Sequence, residues 1–157
     1  MNESRKEFMR EAIRLSIESV QKGGGPFGAV IVKDGKIIAG SANSVTIDND
    51  PTAHAEVNAI RKASKILKTF DLSGCEIYTS CEPCPMCFGA IYWAHIDAIY
   101  YGNTKQDAKA IGFDDAFIYQ ELETPKNKRK IKAIPFLRDE AIISFELWDK
   151  NENRTDY

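Results

Sequence analysis

The sequence predicts an α/β fold, a three-layer α/β/α sandwich built on a five-stranded mixed sheet. Three observations carry that expectation. Two apolar, β-branched runs meet at Asp34-Gly35, strands then alternate with helices from Thr52 to Tyr101, and an amphipathic segment precedes them all. Strands joined by two turn residues pair antiparallel, whereas strands separated by a helix need a crossover and lie parallel, so one sheet has to hold both kinds of pair. A chain of 157 residues is the size of one domain, so residues 1–157 are read as a single unit with one core.

Taken in order, residues 3–21 place Phe8, Met9, Ala12, Ile13, Leu15, Ile17 and Val20 mostly at helical spacing, as expected of a helix covering the core. Gly23-Gly24-Gly25 ends it, and because no Gly-Lys-Ser/Thr follows, it reads as a turn rather than a phosphate loop. Residues 27–32 and 36–41 are the hairpin strands. Then come a helix over 52–67, a strand over 76–79, a helix over 84–94 and a strand over 98–101. Beyond Gly102 the pattern predicts helix at 107–110, a turn at 112–115, a short helix at 116–122 and a basic solvated loop at 125–130. Residues 131–137 are the candidate fifth strand, at an edge, with Pro135 counting against it because it has no N–H to donate. A last amphipathic helix spans 139–150, before a polar tail.

Composition narrows the function classes. Hydrophobic content of 43% and charged content of 28% are those of an ordinary globular protein. A net charge of −2 lacks the basic surplus of a chain whose main partner is nucleic acid. There is no apolar run of membrane-spanning length and no signal-peptide core, so a cytoplasmic location away from membranes is expected. Four cysteines, two of them committed to a metal, suit a reducing compartment better than a disulfide framework.

The chemistry concentrates in two stretches, Thr52-Ala53-His54-Ala55-Glu56 and Ser80-Cys81-Glu82-Pro83-Cys84-Pro85-Met86-Cys87. A catalytic zinc takes three protein ligands and keeps its fourth position for water, while a structural zinc closes all four. His54, Cys84 and Cys87 make three. Pro83 reads as the start of a helix, which puts Cys84 and Cys87 on one face at its N-terminus, where the dipole and free amides favour thiolates. Asp50-Pro51 reads as cap and first residue of another helix, with Thr52 as a rival cap. His54 and Glu56 then lie in its first turns and lean towards a point beyond its end. Glu56 is placed to take a proton from water rather than to bind the metal. Cys81 keeps a second reading open, a closed Cys₃His structural site in a non-catalytic zinc-stabilised module with Glu56 a surface acid. Trp93 and His95 read as structural, and Cys75 as a buried strand-edge residue.

These residues carry a resemblance. The runs Pro26-Phe27-Gly28-Ala29-Val30-Ile31-Val32 and Asn49-Asp50-Pro51-Thr52-Ala53-His54-Ala55-Glu56, residues 78–87, and Gly89-Ala90-Ile91-Tyr92-Trp93-Ala94 look like the cytidine deaminase superfamily. Its zinc enzymes share an H-x-E…P-C-x-x-C signature. Gly112-Phe113-Asp114-Asp115 and the C-terminal tyrosine resemble its bacterial guanine deaminase branch. The resemblance implies a cytidine deaminase-like fold, one Zn²⁺ per subunit, and hydrolysis of guanine to xanthine and ammonia. Glu56 would deliver a proton to the ring nitrogen beside C2, and Glu56 or Asp115 would protonate the leaving amine. Asp115 matches the family's substrate-contacting acid. A carboxylate there suits guanine, which presents ring N1–H beside its amine, and repels adenine, which presents an acceptor there. Asn43 can donate and accept at a purine edge, the backbone amide of Ala55 and the helix start at Cys84 can orient the base, and Phe27 is equally a stacking residue or core. Asp114 reads better as a helix cap. The resemblance further implies a homodimer in which segments from about 138 to 157 are exchanged, with Tyr157 capping the partner's pocket. The tRNA-specific adenosine deaminases share the zinc motifs and remain the rival, as do deaminases of other small heterocycles such as cytosine.

Overall fold

The structure, a computed structural model, describes residues 3–157. Among them, one sheet of four strands runs in the order β2-β1-β3-β4. β1 (Gly28–Lys33) and β2 (Lys36–Ala42) form the predicted hairpin. Asp34 and Gly35 both take positive φ, 50° and 71°, the type I′ geometry whose twist matches that of the flanking strands. β1 also pairs antiparallel with β3 (Cys75–Cys81), which pairs parallel with β4 (Ala98–Asn103). The sheet is therefore mixed, with the parallel pair spanned by α4 (Pro85–Trp93). The crossover through α3 (Ala55–Leu67) instead leads from β2 to β3, which does not pair with it.

The expectation of five strands is corrected to four among the described residues. Residues 131–137 form no strand; Ile131, Ile134 and Phe136 are 83%, 76% and 82% exposed. Pro135 removes a donor from that run, and β-branched composition alone cannot hold a strand that has no ladder to join. The remaining helices are α1 (Glu3–Gln21), the short α2 (Val45–Asp48), α5 (Lys105–Ala110), α6 (Ala116–Glu123) and α7 (Arg138–Lys150). Lys126–Lys128 form a 3-10 turn within the expected basic loop.

Strand alternation separates the two faces of the sheet. Ala29, Ile31 and Ile77 pack with Ala55, Ala59, Ala63 and Ile91 of α3 and α4. Val30, Val32 and Tyr78 pack with Ala12, Phe8, Met9 and Leu15 of α1 on the other face. α1 uses only part of the stripe its periodicity suggests, Phe8, Met9, Ala12 and Leu15. Its buried residues are Ala12, Ser16 and Ser19, whereas Ile13, Ile17 and Val20 are exposed. The reason is close approach: a Cβ on Gly28 would lie 2.2 Å from the Ala12 carbonyl oxygen and 2.7 Å from the Ser16 nitrogen. Only small residues fit there. Their hydroxyls are satisfied, Ser16 Oγ by the Ile13 carbonyl at 2.7 Å and Ser19 Oγ by the Asn43 carbonyl at 3.2 Å.

The chain divides into two compact units, one ending at Asp115 and the other spanning residues 116–157. In the second, Arg129 Nε and Nη2 donate to the carbonyls of Thr124 and Leu122, and Lys130 N donates to Glu121 Oε2. No residue of α7 is buried, and Phe145 and Leu147 are 72% and 66% exposed. Among the described residues no helix is long and apolar enough to cross a membrane.

Candidate active site

Two helix N-termini converge at the site. The expected boundaries shift by a few residues, and the shift matters. α3 starts at Ala55 with His54 as its N-cap residue, and α4 starts at Pro85 with Cys84 as its N-cap residue. Both caps have extended backbones, φ −69° and ψ 154° at His54 and φ −67° and ψ 167° at Cys84. An N-cap residue lies half outside its helix, so both ligands sit at the helix ends rather than on their sides. The expected cap at Asp50 is instead a local turn. Asp50 Oδ1 accepts from Thr52 N at 2.8 Å and from Thr52 Oγ1 at 2.7 Å, which holds the carboxyl below its ordinary range. The helix-starting proline of α4 is Pro85, not Pro83.

His54 Nδ1 lies 3.5 Å from Cys84 Sγ and 3.4 Å from Cys87 Sγ. These three ligand atoms all fall within 4.8 Å of one another. Zinc bonds of about 2.3 Å to sulfur and about 2.0 Å to nitrogen at tetrahedral angles require separations of roughly 3.5 to 3.8 Å. The cluster therefore fits one zinc ion. Its electrostatics suit a cation: the hydrogen bond from the Cys87 thiol, reinforced by His54, draws the Cys84 thiol down to about 4 despite desolvation. The hydrogen bond with Cys84 and burial push the Cys87 thiol up, and Cys84 raises His54.

Cys81 takes no part. Its buried Sγ donates to the Thr104 carbonyl at 3.7 Å, and desolvation pushes the thiol up to about 11. Among the described residues the metal-ligating group comprises His54, Cys84 and Cys87, so the closed Cys₃His alternative is excluded by where Cys81 points.

Glu56, second residue of α3, is 6% exposed and accepts from Cys87 Sγ at Oε2, 3.3 Å away. Desolvation raises its carboxyl above the ordinary range. Ala55, the first residue of the helix, is fully buried. Asn43, 8% exposed, follows β2; its N–H donates to the Phe27 carbonyl at 3.0 Å, and its Oδ1 accepts from Val45 N at 3.2 Å. Asp115 is half-buried, its carboxyl raised by desolvation first and also by Cys84. Asp114 pairs with Lys109 Nζ at 3.1 Å.

Phe27 packs against the α3/α4 core and meets Phe113 edge-to-face, ring centroids 4.9 Å apart and planes at 87°. Phe113 was not singled out by the sequence, although it stands in the Gly-Phe-Asp-Asp run. Tyr157 belongs to the second unit, 72% exposed with its ring edge-on to Trp148 at 6.4 Å. His95 adopts a positive φ of 57° beside Asp71, and Cys75 is buried in β3, consistent with structural roles for both.

Comparison with known proteins agrees with this geometry. Residues 2–103 match the family described as the cytidine and deoxycytidylate deaminase zinc-binding region. The chain is 52% identical over 151 residues to a guanine deaminase of Bacillus subtilis, covering 96% of this chain and 97% of that one. A crystal structure of guanine deaminase from Bacillus subtilis superposes with a TM-score of 0.94 at 51% identity, covering 100% of this chain and 99% of the other. A tRNA-specific adenosine deaminase of Aquifex aeolicus is 36% identical over 146 residues, 93% of this chain and 95% of that one.

Proposed function

The chain belongs to the cytidine and deoxycytidylate deaminase zinc-binding family, and from that membership we propose that it hydrolyses guanine to xanthine and ammonia. The observation that carries the reaction is a buried carboxylate, Glu56, set 3.3 Å from Cys87 Sγ beside a set of three metal ligands. The high identity to a guanine deaminase over almost the whole chain supports guanine as the base.

His54, Cys84 and Cys87 would hold the zinc ion. When bound, zinc supplies a water acidic enough to lose a proton near neutral pH. Burial makes Glu56 fit to take up that proton, since desolvation raises its carboxyl above the ordinary range. It passes the proton to the ring nitrogen beside C2 of the base; once the water oxygen has bonded to C2, Glu56 takes that oxygen's second proton and hands it, directly or through Asp115, to the amine, which leaves as ammonia when its bond to C2 breaks. Asp115 accepts from ring N1–H and the exocyclic amine, two adjacent donors that guanine has and adenine lacks. Asn43 and the Ala55 amide orient the other edge of the base, and Phe27, braced by Phe113, offers it an aromatic surface. Placement in the cytoplasm accords with reduced, metal-ready thiols.

The enzyme acts as a homodimer with exchanged C-terminal segments, from about 138 to 157, in which Tyr157 caps the partner's pocket. Support comes from the second unit itself: a helix of 13 residues with none buried is too short to hold by its own propensity, and its apolar side chains need a surface to cover them.

The test is ammonia release by the zinc-loaded protein from guanine, adenine, guanosine, cytosine, cytidine and a tRNA anticodon stem-loop. Guanine alone should react. Release from the stem-loop only would overturn the substrate. Glu56→Gln should keep its zinc and lose roughly 10²- to 10⁴-fold in kcat; undiminished turnover would remove Glu56 from the mechanism.

A further inference from the structure

We propose that Asn58, which no motif marks, is a positioning residue that sets the separation between the purine-reading end of β2 and the metal centre. The proposal rests on the deaminase reading above. Asn58 is the fourth residue of α3, and its N–H donates to the carbonyl of His54 at 2.9 Å. Its side chain turns back over the helix start. Asn58 Nδ2 donates to the Ala42 carbonyl at 3.1 Å, to Ser44 Oγ at 3.0 Å and to the Ala53 carbonyl at 3.3 Å.

These acceptors sort by what they neighbour. Ala42 and Ser44 flank Asn43, and Ala53 precedes His54. Ser44 N closes the knot by donating to the Ala53 carbonyl at 2.9 Å. One amide nitrogen, with one of its two hydrogens shared between acceptors, thus ties the residue proposed to read the base to the residue proposed to hold the metal. Two of the acceptors are backbone carbonyls, which can only accept, so the nitrogen of the carboxamide must face them. The requirement is chemical as well as steric: an aspartate of the same shape would present oxygens to carbonyl oxygens.

The catalytic consequence is registration. A proton moves efficiently between Glu56 and the ring only at hydrogen-bond separation, and a misplacement of about 1 Å costs on the order of 100-fold. Asn58 touches neither base nor metal; it acts through Asn43 and His54.

Asn58→Ala and Asn58→Asp should be compared with the wild type in zinc content, melting temperature, guanine kinetics and the d–d absorption of the cobalt-substituted protein. In N58A the metal should be retained, kcat should fall roughly 10- to 100-fold with a smaller rise in KM, and the cobalt band should change shape as the Ala53-His54 segment relaxes. N58D should be worse than N58A in kcat and in the band. A lower melting temperature with wild-type kcat per bound zinc and a wild-type band would overturn the proposal and make Asn58 a strut of the fold alone. If the wild type releases no ammonia from guanine, guanine falls as the substrate instead, and the cobalt band still decides whether Asn58 positions His54.

Discussion

Cys81 and Cys84 stand three residues apart, yet one thiol is pushed up to about 11 and the other drawn down to about 4. Desolvation raises the first, and the hydrogen bonds with Cys87 and then His54 outweigh desolvation at the second. Cys81 ends β3 and faces the Thr104 carbonyl, while Cys84 caps α4 and faces His54. Spacing could not choose between them, because both are cysteines in reach of the same turn, and the decision came from a contact 23 residues away. Cys81→Ala should therefore retain one zinc per chain by metal analysis, with kcat changed by less than about 2-fold, and lose about 1 kcal/mol of stability with its buried contact. Zinc lost from C81A as completely as from Cys84→Ala would restore a fourth ligand and contradict the geometry.

The helices and strands show where local signals compete. Asp50, Pro51 and Thr52 carry all the marks of a helix start, but the aspartate folds back on Thr52 and the helix waits for Ala55. Side-chain turns and helix caps use the same residue types, so their order along the chain does not separate them. α1 shows a different competition. Helical periodicity offers Ile13, Ile17 and Val20 for burial along with Ala12; the helix keeps Ala12, adds Ser16 and Ser19 and leaves those three exposed, because Gly28 lets the two backbones nearly touch. Gly28→Ala should force them apart at the cost of roughly 1–3 kcal/mol, read as a lowered urea midpoint. An unchanged midpoint would mean that α1 is not held at that distance.

For the whole molecule, the second unit leaves Ile131, Ile134, Phe136, Phe145 and Leu147 exposed in a single chain. If exchange of this segment covers them, Phe145→Asp should convert a wild-type dimer into a monomer by sedimentation and reduce turnover, whereas a wild type that sediments as one chain would end the exchange reading. The sequence by itself determined the hairpin at Asp34-Gly35, the alternation of strand and helix, and the two short stretches that carry His54, Cys84 and Cys87. Each depends on turn chemistry or ligand spacing within a few residues, where local sterics dominate. Only the tertiary structure decided that residues 131–137 join no ladder, that Cys81 turns from the metal, that Phe27 meets Phe113 and that Asn58 clasps Ala42 and Ala53. Strand partners and side-chain directions are set by contacts between segments distant in sequence, and no local pattern carries that information.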